Sequence, residues 1–276
     1  MLGKLMTYEL RALWKPAAIM LAIMVVAGIA GTACLGATRA ISEVPWGAYG
    51  SLAAPTAGNA TVVLFMGALF CAFLVWAAVV AFYVFSSMRF YRTLFTDEGY
   101  LALTLPVPTG TLVMAKFWVS YLVLAAFALM ALLVYTLMAL AVSGGDIDAV
   151  TGVASMMGGW FAFAADGDGA SALLGYGNML VTCAYDLSLA YGSLTLGAWW
   201  ARRHKVAAAV GVYLGVGWAL SLVFSIAGGL VMSGDTIFWD FALGAVAVVQ
   251  MLMNLAVAVG SLALSTHLIR TKVDLS

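Results

Sequence analysis

Long apolar runs broken by short polar stretches make up nearly the whole chain. Six of them, residues 17–35, 62–85, 112–142, 173–200, 206–231 and 241–268, meet the about 20 mostly apolar residues that a helix needs to cross a hydrocarbon layer. The pattern predicts an all-α integral membrane protein with six transmembrane helices in a single domain, residues 1–276. Pro16 falls at the first turn of the first run, where a missing N–H costs nothing. That run exceeds the about 7–15 apolar residues of a secretory leader, and five more follow it, so no cleaved signal is expected.

The polar stretches carry patterns of their own. Ahead of the first run, Leu2, Leu5, Met6, Leu10, Leu13 and Trp14 recur at helical spacing, with Lys4, Glu9, Arg11 and Lys15 among them. Residues 1–15 therefore predict a helix lying in the membrane interface. Between the second and third runs, residues 89–110 read RFYRTLFTDEGYLALTLPVPTG. Thr96 suits a helix N-cap, with Asp97 and Glu98 in the first turn of a short helix that Pro106 ends. Gly99 disfavours that helix, and the alternation of Leu101, Leu103 and Leu105 fits an extended segment equally. In either form, a loop has no need of so many leucines unless something covers them.

Composition leaves no alternative to lipid. The chain is 65% hydrophobic and 9% charged, with a mean hydropathy of +1.08. A soluble domain is about 45–50% apolar and about 25% charged, and no single core could bury the difference. The net charge is zero, which offers no field to attract nucleic acid, and none is expected as a partner. Cys34, Cys71 and Cys183 lack metal or redox spacing and are expected to be packing residues.

The distribution of charge orients the spans. With six spans, Lys4, Arg11, Lys15, Arg89, Arg92, Lys116, Arg202, Arg203, Lys205, Arg270 and Lys272 fall on one side, and only Arg39 on the other. The positive-inside rule then puts both termini and a cytoplasmic loop at 86–111 inside a bacterial plasma membrane, and residues 143–172 outside. Residues 149–165 are apolar enough to suggest a seventh span, but that would move the 202–205 cluster and the basic tail outside. They are expected to be a short interfacial or re-entrant element, with Trp160, Phe161 and Phe163 at headgroup depth.

Few polar groups lie inside the spans, and those few are functional candidates because burying them is costly. Asp186, near the middle of the fourth span, has no cation at similar depth. Tyr185, Gln250 and Asn254 are its candidate neutral partners, and we expect Asp186, Gln250 and Asn254 to line or brace a pathway; interhelical bracing without a pathway is the plainer reading. In the fifth span Ala207, Gly211, Gly215 and Ala219 form a ridge of small residues, expected to pack within the subunit or else against a second copy. Trp199 and Trp200 beside Arg202 and Arg203 fit an interfacial belt.

Enzyme chemistry finds no support. There is no G-x-x-x-x-G-K-[ST] phosphate cradle. SGGD at 143–146 echoes the signature sequence of cassette ATPases without any companion motif. DGDG at 166–169 begins like a calcium loop, yet its glutamate position is Gly177. His204 and His267 lie on different spans without partners nearby in sequence. No catalytic residue, cofactor or metal is expected.

The leader LGKLMTYELRALWKP, the six-span layout and FYRTLFTDEGYLALTLPVPTGTLVMAKFW (90–118) together resemble the bacterial ABC-2-type permeases, the transmembrane subunits of ATP-binding-cassette exporters, over essentially the full length. The resemblance implies a separate ATPase subunit and a second permease, identical or paralogous. It also implies a coupling helix between spans two and three, where Thr96, Asp97, Glu98, Gly99, Tyr100 and Leu101 dock on the ATPase. The leader is similar to the family's connecting helix. The cargo so implied is amphipathic or hydrophobic (a peptide, a drug or a lipid-like compound) and moves outward. Two rival readings remain: a secondary transporter using Asp186, and a non-transporting membrane scaffold or immunity protein.

Overall fold

The computed structural model describes residues 2–44, 50–95, 108–146, 169–201, 204–232 and 239–271. Within them the chain forms six helices: α1 (Leu2–Ser42), α2 (Gly50–Phe95), α3 (Thr109–Ser143), α4 (Gly169–Trp200), α5 (Lys205–Met232) and α6 (Trp239–Thr271). Each contains a segment long and apolar enough to cross a membrane, and the chain is a multi-pass membrane protein. Helices are what the solvent demands, since hydrocarbon offers backbone N–H and C=O groups no other partners. Hydroxyls in the spans follow the same logic and turn back on their own helix: Thr32 donates to the Gly28 carbonyl at 2.7 Å and Ser193 to that of Ala190 at 2.9 Å.

Two helices outrun their apolar runs. At 1.5 Å per residue α1 and α2 are about 60 and 70 Å long, roughly twice the hydrocarbon thickness. The leader expected as a separate interfacial helix is instead continuous with the first span, and Pro16 lies inside the helix rather than in its first turn. A proline there removes a backbone hydrogen bond, but Leu13 is buried beside it and Leu5 and Met6 pack on the core. The loop expected at 86–111 is also shorter, because α2 continues to Phe95. The reason is a buried row at four-residue spacing, Phe82, Ser86, Phe90 and Leu94, which carries the helix past its polar residues. Residues 96–107, which include the predicted coupling helix, lie outside the described residues, as does the 149–165 element.

The helices fall into two sets of three. α1 packs most extensively on α2 and α3, and α4 on α6 and α5, while smaller contacts join α4 to α2 and α3. Glycines set the closest approaches. A Cβ on Gly28 would stand 2.8 Å from Val134 Cγ2, and one on Gly192 would stand 2.9 Å from Ser261 Cβ. Gly144 ends α3 with φ +80°, and its N–H bonds to the Leu140 carbonyl at 2.9 Å. The SGGD stretch thus caps a helix.

Candidate functional site

The site begins with spacing. On α4, Thr182, Tyr185, Asp186 and Leu189 recur at helical intervals and share one face. Tyr213, Gly217, Trp218 and Ser221 do so on α5, and Gln250 and Asn254 stand one turn apart on α6. These three faces enclose a cavity of about 470 Å³. Asp186, Gln250 and Asn254, singled out from sequence, therefore line one space, with no hydrogen bond between their side chains among the described residues. No salt bridge between described residues reaches Asp186. On the α5 side two lining residues are exposed, Leu214 by 61% and Trp218 by 70%.

A second, narrower cavity of about 160 Å³ continues along α4 and α5 toward the basic end of the bundle. Ala190, Ser193, Val206, Ala209 and Tyr83 line it, and Tyr213 lines both cavities. Tyr83 and Tyr213 meet between them, ring centroids 6.3 Å apart. The Tyr83 hydroxyl donates to the Asp186 backbone carbonyl at 3.1 Å, which fixes that ring beside the carboxylate's helix.

Below this pair, Tyr191 joins the two helix sets. Its ring is fully buried and stacks on Phe90 of α2 with centroids 3.9 Å apart. Its hydroxyl donates to Ser120 of α3 at 3.0 Å and lies 3.3 Å from the Ser86 hydroxyl of α2. One side chain of α4 is thereby fixed to both α2 and α3 of the first set.

At the basic end, Glu9 of α1 accepts from Arg89 of α2 at 2.9 Å and forms a salt bridge with Lys116 of α3. The side chains of Lys116, Glu9 and Arg89 are 9%, 18% and 23% exposed, so water screens the cluster little. One carboxylate thus ties the start of α1 to the two helices whose ends flank residues 96–107.

Sequence reasoning placed Lys116 in a charge count and Glu9 among the charges of the leader, without pairing them. The available signal was that Glu9 is the one acid before Glu43, and Lys116 the one charge between Glu98 and Asp146. Tyr83, Tyr191 and Tyr213 gave none, since tyrosines in apolar runs are common packing residues. The small-residue ridge is a correction. Ala207, Gly211, Gly215 and Ala219 are all exposed, and among the described residues nothing lies within 4 Å of where a Cβ on Gly211 or Gly215 would sit. The ridge turns away from the bundle, whereas Ala209 on the same helix is buried and Tyr213 meets Tyr83 of α2. The six residues proposed to dock an ATPase, Thr96 to Leu101, lie outside the described residues. Comparison with protein-family models, curated proteins and solved structures gives no match.

Proposed function

We propose that the chain is the permease subunit of an ATP-binding-cassette exporter, moving an amphipathic or hydrophobic substrate across the plasma membrane with power from a separate ATPase. The observation that carries this reading is the Glu9 cluster. It ties the start of α1 to the end of α2 and the start of α3, the two helices that residues 96–107 connect, so in this reading a force applied to that connection reaches all three helices. From α2 and α3 the load passes through Tyr191 to α4, the helix that lines both cavities. In this reading the two cavities are parts of one path along α4 and α5, and Tyr83 and Tyr213 close it between them. The basic end faces the cytoplasm, in keeping with the charge bias. The subunit performs no chemistry of its own; its part is to convert docking motion into opening and closing.

The resemblance of residues 90–118 to permease sequences supports the same assignment, and with it a second permease copy. The exposed ridge on α5 is available for that contact.

Photolabelling of native membranes with azido-ATP, followed by purification of the tagged chain, tests the proposal. The expected result is label on a co-purifying polypeptide and none on this chain. Label on this chain itself, or no labelled companion, contradicts it.

One observation favours a second reading. The helices divide three and three, and Asp186 faces a cavity without a cation among the described residues, as a proton-coupled carrier with repeated halves would require. That carrier would lose transport when the proton gradient is collapsed at constant ATP, whereas the exporter would not.

A further inference from the structure

We propose that the 470 Å³ cavity between α4, α5 and α6 binds amphipathic cations, with Asp186 taking the cationic head. As a statement about cargo this rests on the transport reading above, but the binding step can be measured without it.

The chemistry of the lining selects the ligand class. Asp186 is the one ionisable carboxyl on the wall, and no lysine, arginine or histidine lines the cavity among the described residues, so an anion finds nothing to pair with. A carboxylate in the membrane layer needs a cation or hydrogen-bond partners, and among the described residues no ion pair reaches Asp186. Tyr185, Tyr213 and Trp218 surround the same space, and aromatic faces attract an alkylated ammonium or phosphonium group. A hard metal ion does not fit, because calcium takes about 6–8 oxygen ligands. No group of three His, Cys, Asp or Glu side chains occurs among the described residues to begin such a shell.

The opening selects the rest of the molecule. On its α5 side the cavity leaves a gap beside Leu214 and Trp218, both exposed at the surface that lipid chains would cover. A ligand with its head on Asp186 can leave an apolar tail in that gap. The volume falls within the about 300–1,000 Å³ typical of small-molecule sites. Gln250 and Asn254 add hydrogen-bond partners opposite Asp186, which would also accept a neutral sugar-like head, so the test includes one.

The experiment uses the full chain in nanodiscs of phosphatidylcholine and radiolabelled tetraphenylphosphonium as probe. Saturable binding is expected, displaced by dodecyltrimethylammonium and not by dodecyl maltoside at the same concentration. Asp186→Asn should weaken binding by about tenfold or more, and Asp186→Glu should retain it within a few-fold. Should Asp186→Asn fail to fold, Trp218→Ala, at an exposed position, decides instead by weakening the probe several-fold. Absence of saturable binding, equal displacement by the maltoside, or full affinity in the folded Asp186→Asn and Trp218→Ala proteins would overturn the proposal. None of these results bears on whether an ATPase co-purifies, so failure of the site and failure of the exporter reading are separate outcomes.

Discussion

Glu9 is the residue on which the basic end depends. It pairs with Arg89 and Lys116 at once, and both cations are mostly shielded from water. Removing one member of a buried ion pair costs about 3–5 kcal/mol, and partial exposure lowers the figure here to about 2–3 kcal/mol for Glu9→Gln. The expected drop in apparent Tm in detergent is several degrees. Lys116→Met in the Glu9→Gln protein should recover part of it, since one fewer uncompensated cation is then buried. Tyr191 offers a second check. Tyr191→Phe keeps the stack on Phe90 but removes the hydroxyl that joins Ser86 to Ser120, at an expected cost of about 1–2 kcal/mol in the same assay. Neither role could be read from the sequence. A lone acid in an amphipathic leader looks like any solvated charge until the fold sets two cations beside it.

At the scale of the helix, sequence and structure agree where lipid dictates the answer. All six spans were legible, because an apolar run of that length has few alternatives to a helix crossing the membrane. The two long extensions were not, because there the helix is held by tertiary contact. Residues 86–95 carry two arginines and four hydroxyl side chains, and they stay helical because Phe90 and Leu94 bury their side chains. Small residues divide in the same way. Gly28 and Gly192 sit at contacts where a Cβ has no room, while Gly211 and Gly215 face open space, yet all four read alike in sequence. Gly192→Leu should therefore prevent a stable monomer, seen as loss of a monodisperse peak in size-exclusion chromatography. Gly215→Leu should leave the monomer intact. If a second copy packs on the α5 ridge, Gly215→Leu alone shifts the protein toward the monomer.

For the molecule as a whole, the proposed function makes the first set of helices a lever and the second set a path. α1, α2 and α3 are tied together at the basic end by one carboxylate, and Tyr191 carries their position into α4. The cavity on the other face of α4 brings together Asp186, Gln250 and Asn254, which sequence had already grouped by depth. Glu9→Gln should thus leave ATPase docking in place while lowering transport per ATP hydrolysed in reconstituted vesicles. The central claim is that residues 96–101 engage an ATPase. Its most direct test is purification of the tagged chain from its native cells, beside a variant with Asp97, Glu98, Tyr100 and Leu101 all changed to alanine. The account predicts that a nucleotide-binding subunit co-purifies with the native chain and is lost from a variant that elutes at the same position. A native, monodisperse chain that brings down no ATPase, or a variant that keeps it in full, would contradict the account.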